Sequence, residues 1–316
     1  MENKAKIDLR GVMVQTFCDS AEKGKNIIVL VSDSTSTAKI TPFAEKYPDR
    51  LVNVGIAEQN LVGSAAGLSL GGYIAITTNA APFLVGRANE QVKNDICYSN
   101  SNVKLIGLNA GVCYAGLAST HHSIDDISIM RGFGNIQILA PSDPIEVAQI
   151  FDYAIDHVGP VYIRMDSDKF PNLHDSNYKF EAGKVDTLVQ GDDISIIAVG
   201  SVVIEAFEAS ELLKDASIHA EVLNISSIRP LDKKPLISSI SRTKNVITVE
   251  EHSINGGLGS LVSEIIAENN ISAKFARHGI PDGEFAKAGP RSEIRAYHKI
   301  DAKGIVEGAQ KMLAEK

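Results

Sequence analysis

Residues 50–72 read Arg-Leu-Val-Asn-Val-Gly-Ile-Ala-Glu-Gln-Asn-Leu-Val-Gly-Ser-Ala-Ala-Gly-Leu-Ser-Leu-Gly-Gly. The apolar run ends near Val54, and the residues after it have helical spacing, with Leu61, Ala65 and Leu68 on one face. A strand that runs straight into a helix is the repeating unit of a parallel α/β sheet. Gly63, Ala65, Ala66 and Gly67 allow another backbone to come close, at some cost in helix propensity. Glu58 is the only acidic or basic side chain between Arg50 and Arg87. A carboxylate so isolated is either a solvated residue of the first helical turn or a buried group with a task.

The same alternation extends in both directions. Asn26–Val31, Val103–Leu108, Ile136–Ala140 and Val161–Arg164 are short, near-continuous apolar runs, the pattern of strands covered on both faces. Between them the spacing predicts helices over Arg10–Lys23, ended by Gly24, and over Pro144–His157, capped by Asp143 with Pro144 at its first position. Around 168–184 the pattern breaks into a polar stretch with a proline, and beyond it the alternation restarts. Strands are predicted at 193–200, 220–225 and 245–250, and helices at Val202–Asp215 and Gly257–Asn269. The fold expected is two α/β domains, each a mostly parallel sheet with helices on both faces. Their boundaries are 1–170 and 185–316, with a linker at 171–184.

Bulk properties narrow the class of function. With 316 residues the chain has room for two domains. A net charge of -8 without a basic tract argues against a nucleic-acid partner. No apolar run approaches the roughly 18 residues that span a membrane. Cys18, Cys97 and Cys113 are odd in number and form no CxxC pair, which fits a reducing cytoplasm.

Val54-Gly-Ile-Ala-Glu-Gln-Asn60 followed by a small-residue helix resembles the pyrimidine-domain motif of the transketolase family. Asp8-Leu9-Arg10, Phe43–Arg50, Gly86–Gln91, Thr120–Asp126 and Gly159–Arg164 extend the resemblance over nearly the whole chain. In that family the matching glutamate hydrogen-bonds the ring nitrogen of the aminopyrimidine of thiamine diphosphate, so the resemblance implies a catalytic role for Glu58. It also implies that Phe83 stacks on the pyrimidine and that Asp33 contacts the cofactor. The second family aromatic, three residues before Phe83, is here Ala80. His121 matches a catalytic histidine that contacts the substrate near the reacting carbon. Arg10, Thr37 and Asn109 fall at or near positions that bind the far end of the sugar, and an arginine fork suits an oxyanion there.

What the chain lacks is equally informative. The family anchors the cofactor's diphosphate through Mg²⁺ held by a Gly-Asp-Gly motif, and this chain has none; Gly191-Asp192-Asp193 is the nearest string. The resemblance therefore implies the C-terminal subunit of a split enzyme. A separate N-terminal subunit would hold the diphosphate and the metal, in a heterotetramer with two copies of each chain, and no metal site is expected here. Asn109 stands where the family has a phosphate-binding histidine, Ser167 where it has an arginine, and Gly116-Leu117-Ala118 where it has Glu-Asp-Gly. Losing two cationic contacts weakens binding of a dianionic phosphate. The expected reaction is thus ketol transfer between modified sugars. Arg10, Thr37 and Asn109 would hold a monoanion such as the sulfonate of sulfofructose, or a differently placed phosphate.

The second half resembles the family's third domain, through Ser227–Asp232 and Glu250–Gly259. Gly257-Leu258-Gly259 reads as a structural turn rather than an anion site, and no catalytic residue is expected there. Two other readings stay open. One is the β-subunit of a 2-oxo-acid dehydrogenase, which the Thr-His-His string favours; the other is a non-catalytic subunit that keeps the fold.

Overall fold

The computed structural model describes residues 5–314. Contacts divide the chain into two compact units. One consists of the residues up to Ala110 together with Ile129–Phe180, the other of Gly111–Ser128 together with the residues from Glu181 onward.

In the first unit, β1 (Ile27–Val31), β2 (Leu51–Asn53), β3 (Ile74–Ala80), β4 (Val103–Leu108), β5 (Gln137–Leu139) and β6 (Val161–Met165) lie in the order β5-β6-β4-β3-β1-β2. Each neighbouring pair is parallel. Every position of β1, β4 and β6 is buried, so these strands carry no polar-out alternation and read as near-continuous apolar runs, broken by Lys104 in β4 and Arg164 in β6. Helix α1 (Leu9–Glu22) begins at Asp8, whose side chain accepts the Arg10 amide at 3.0 Å. Helix α2 (Glu58–Leu70) buries Leu61, Val62, Ala65 and Ala66. Helix α3 (Pro144–Asp156) has the predicted cap: Asp143 accepts the Glu146 amide at 2.8 Å. Its Phe151 meets Phe17 of α1 edge-on, with ring centroids 5.6 Å apart.

The stretch after Phe170 was expected to be a linker, and much of it is docked on α3. Asp143 Oδ2 accepts the amides of Leu173 and His174 and contacts His174 Nδ1 at 3.0 Å. Tyr178 donates to Glu146 at 2.6 Å, and Gln149 exchanges hydrogen bonds with Tyr178 and Phe180. Asp143, Glu146 and His174 form a metal-like donor set, but these hydrogen bonds already engage all three.

The second unit has β7 (Asp186–Val189), β8 (Ile194–Ala198), β9 (Ala220–Asn224), β10 (Asn245–Ser253) and β11 (Lys274–Ile280), in the order β11-β10-β8-β9-β7. All pairs are parallel except β9 with β7. Helices α4 (Val203–Asp215), α5 (Lys233–Thr243), α6 (Leu258–Glu268) and α7 (Ala302–Ala314) accompany them. Gly257 caps α6, and the amides of Leu258 and Gly259 donate to the buried Glu250 carboxylate at 2.7 and 2.8 Å. The anion at this helix start is the protein's own side chain. Among the described residues no helix is long and apolar enough to cross a membrane.

Candidate active site

In an open parallel sheet, the carboxyl ends of the strands are where loops can converge on a ligand. The first unit sets most of the residues in question there. Asp33 follows β1, Glu58 follows β2, Phe83 follows β3, Asn109 follows β4, and Asp166 and Ser167 follow β6. Strands β2, β1, β3, β4 and β6 are consecutive neighbours, so these loops form one row along a single edge of the sheet.

Glu58 opens α2 and is only 3% exposed, which decides between the two readings of its isolation: it is a buried carboxylate. Its Oε2 accepts from Arg87 Nη1 at 2.6 Å. The guanidinium of Arg87 lies over the Phe83 ring, 4.7 Å from its centroid. Glu58 and Phe83 are thus brought together through Arg87. The segment Phe83–Arg87 is a π-helical turn, as is Val92–Tyr98, and helical periodicity alone does not distinguish such turns.

Arg10 and Thr37 also meet. Arg10 Nη1 donates to the Thr37 carbonyl at 3.1 Å, while its Nε and Nη2 donate to Asp8 at 3.3 and 3.2 Å. Lys39 reaches the same carboxylate at 2.7 Å. Burial pushes the Asp8 carboxyl up, and the hydrogen bonds and charges of Arg10 and Lys39 more than offset this and hold it below its usual range. Two cations sharing one carboxylate leave this corner with a net positive charge. Sequence reasoning found Arg10 and missed Lys39, whose left-handed φ of 55° belongs to the same loop.

Asn109 and Ser167 are buried and hydrogen-bonded to each other. The two positions that lack the family's cationic residues are therefore one polar, uncharged pair. Asp33 is exposed at the end of β1; its amide donates to Asn53 Oδ1 at 3.1 Å. His121 lies in the segment 111–128 that groups with the second unit. There it stands edge-on to Tyr114 at 5.2 Å and its Nδ1 lies 2.9 Å from Thr120 Oγ1. The turn before it contains Ala118 at φ 58°, ψ -153°, a conformation natural to the glycine that the family pattern has at that position. His122 beside it is buried, and that burial lowers its pKa even though the Ala115 carbonyl and Glu251 pull the other way.

The donor set suits an aminopyrimidine. A buried carboxyl group beside an aromatic ring offers a group that can share a proton with a ring nitrogen and a stacking surface, and Glu58 Oε1 has no hydrogen-bond partner among the described residues. By contrast, a cavity of ≈ 730 Å³ in the second unit, lined by Lys274, His278, Lys299 and Lys311 among others, contains none of these residues.

Comparison with known proteins gives this geometry a family. Residues 5–171 match the family model "Transketolase, pyrimidine binding domain", and residues 183–305 match "Transketolase, C-terminal domain". The chain is similar to an apulose-4-phosphate transketolase subunit of Actinobacillus succinogenes, 56% identical over 299 residues, covering 95% of this chain and 96% of that protein. It is 33% identical over 308 residues to a 6-deoxy-6-sulfo-D-fructose transketolase subunit of Clostridium sp. (strain MSTE9), covering 98% and 95%. Among solved structures it resembles "Split gene transketolase, inactive beta4 tetramer", with a TM-score of 0.87, 33% identity and coverage of 98% and 99%. Dependence on thiamine diphosphate is general to this group. The chain belongs to the transketolase family, as the C-terminal subunit of an enzyme divided between two polypeptides.

Proposed function

We propose that this subunit, joined to an N-terminal subunit in a heterotetramer of two copies of each, transfers a two-carbon ketol unit from a modified ketose to an aldose in the cytoplasm. The partner holds the diphosphate and Mg²⁺ of the cofactor. The observation that carries the reading is the buried Glu58 carboxylate, tied through Arg87 to Phe83 at the carboxyl edge of the sheet.

Bound thiamine diphosphate supplies a nucleophilic carbon between the two sugars. In this reading Glu58 would share a proton in a hydrogen bond with the pyrimidine's ring nitrogen, Phe83 would stack on the ring, and Asp33 would lie at its border. His121 hydrogen-bonds the substrate's carbonyl and hydroxyl region. Arg10, Thr37 and Asn109 hold the far end of the sugar, with the net positive charge beside Asp8 drawing the anion and the Asn109–Ser167 pair meeting hydroxyl groups. The names of the two relatives support a modified sugar, and the greater identity favours a phosphorylated ketose such as apulose 4-phosphate over a sulfonated one.

The test mixes the two subunits with thiamine diphosphate and Mg²⁺ and follows transfer to a short aldose phosphate. Apulose 4-phosphate, sulfofructose and xylulose 5-phosphate are compared as donors. Apulose 4-phosphate giving the highest kcat/KM supports the reading, and xylulose 5-phosphate with ribose 5-phosphate as the best pair by a wide margin ends it. Release of carbon dioxide from a 2-oxo acid in place of ketol transfer would favour the dehydrogenase reading. Glu58→Ala in the same assay decides between a catalytic and a purely structural subunit: undiminished activity removes Glu58 from the chemistry.

A further inference from the structure

The string Gly86–Gln91 belongs to the family resemblance, yet the roles proposed above leave Arg87 without a task. Arg87 closes the π-helical turn that Phe83 opens, and the wide turn sets its guanidinium over that ring. Its side chain is 48% exposed, whereas that of Glu58 is 4% exposed, so Arg87 reaches inward from the surface to a carboxylate that is almost fully enclosed. The 2.6 Å contact occupies Oε2 only. Burying a lone carboxylate is costly, and this guanidinium is its counter-charge.

We infer that Arg87 is a positioning residue for thiamine diphosphate: it fixes Glu58 through Oε2, leaves Oε1 for the pyrimidine's ring nitrogen, and steadies the Phe83 ring against which the pyrimidine stacks. The inference rests on the assignment of Glu58 and Phe83 proposed above. A guanidinium suits the task because it is planar, permanently charged and able to stack and donate at once. A lysine at this position keeps the charge and loses the plane.

The test is calorimetric titration of the reconstituted two-chain enzyme, with Mg²⁺, against two ligands. One is thiamine diphosphate; the other is its analogue with C–H in place of the ring nitrogen that Glu58 contacts. Arg87→Met is expected to weaken thiamine diphosphate about tenfold, the scale of one hydrogen bond to a charged group. It should weaken the analogue, which keeps the stacking and lacks the ring nitrogen, by a smaller factor, and Arg87→Lys should restore only part of the loss. The ratio of the two affinities within one variant is insensitive to a loss of folded protein, so it reads the contact even if Met lowers stability. Glu58→Gln is run beside them. If Glu58→Gln loses affinity for thiamine diphosphate while Arg87→Met binds it as tightly as the parent, or more tightly, Arg87 has no positioning role. If Glu58→Gln binds both ligands as the parent does, the assignment beneath the inference is the part that fails, and the inference falls with it.

Discussion

Asn109 and Ser167, 58 residues apart, hydrogen-bond to each other beyond the ends of neighbouring parallel strands. A polar pair without a charge does not ask for a dianion, but it can meet the hydroxyl groups of a sugar. Asn109 holds a left-handed φ of 55°, so glycine can replace it without strain. In the reconstituted enzyme Asn109→Gly should raise KM for the ketose about tenfold, the scale of one or two lost hydrogen bonds, with kcat nearly constant. Steady-state kinetics with each candidate donor would check this, and an unchanged KM would remove Asn109 from the sugar subsite.

A β-carbon on Gly257 would collide with Glu250 Oε2, although the φ of -84° at this position is open to any residue. The restriction is therefore steric: the carboxylate must reach the amides of Leu258 and Gly259. Gly257→Ala should destabilise the subunit by about 2–3 kcal/mol through the clash and the weakened cap. Urea denaturation of the variant and the parent measures the difference. An unchanged midpoint would mean that Glu250 can cap from another position.

Lys104 is buried, with its Nζ donating to Asn102 Oδ1, the His157 carbonyl and the Gly159 carbonyl at 2.8, 2.7 and 2.8 Å. Burial lowers its pKa to about 7 from 10.5. Between these values the unfolded chain holds a proton that the folded chain has released, so this group makes stability rise with pH across that window. Below about 7 both states are charged and the full penalty of burying the ammonium is present. Lys104→Met removes the titration. The stability of the parent relative to Lys104→Met should therefore grow as pH rises from about 7 towards 10.5, as read from denaturant midpoints. A constant difference would show that the ammonium stays charged in the fold.

Asp143 caps α3 and binds two amides and the ring of His174. Burial raises this carboxyl, and the His174 hydrogen bond and charge, with the amides of Glu146 and His174, outweigh it and bring it below 3.8. A depressed carboxyl contributes stability that is full above its unfolded value and lost as pH falls through the folded one. Asp143→Ala should cost about 3 kcal/mol at neutral pH, from the lost cap and the orphaned donors. The loss should shrink below pH 3.8, where the parent's own Asp143 takes up its proton. Thermal unfolding over an acid series would show whether the two proteins converge.

Much of this fold is legible from the chain because β1, β4 and β6 are buried on both sides and the helix between β5 and β6 carries its cap and proline in plain view. The docked stretch 172–180 is not legible, because what orders it is tertiary: Asp143, Glu146 and Gln149 all lie on α3 or at its cap. Nor does the sequence show that 111–128 groups with the second unit; a buried Glu251, which accepts the Val112 amide at 3.2 Å and pairs with Arg291 and Arg295, contributes to that grouping. In the site, Glu58 could be picked out because no other acidic or basic group stands near it in sequence. Arg87 could not be tied to it, because 29 residues separate them and the contact depends on a π turn.

Apart from Arg10, which lies on α1, the residues proposed to touch cofactor and sugar in the first unit follow the carboxyl ends of β1, β2, β3 and β4, with Ser167 beside them after β6, and the strands themselves hold none of them. A change of preferred sugar can therefore be inherited through residues outside the strands, leaving strand register and the buried apolar rows untouched. In such a scaffold, folding and specificity mutate largely independently, and two relatives can share nearly every core contact while acting on different substrates.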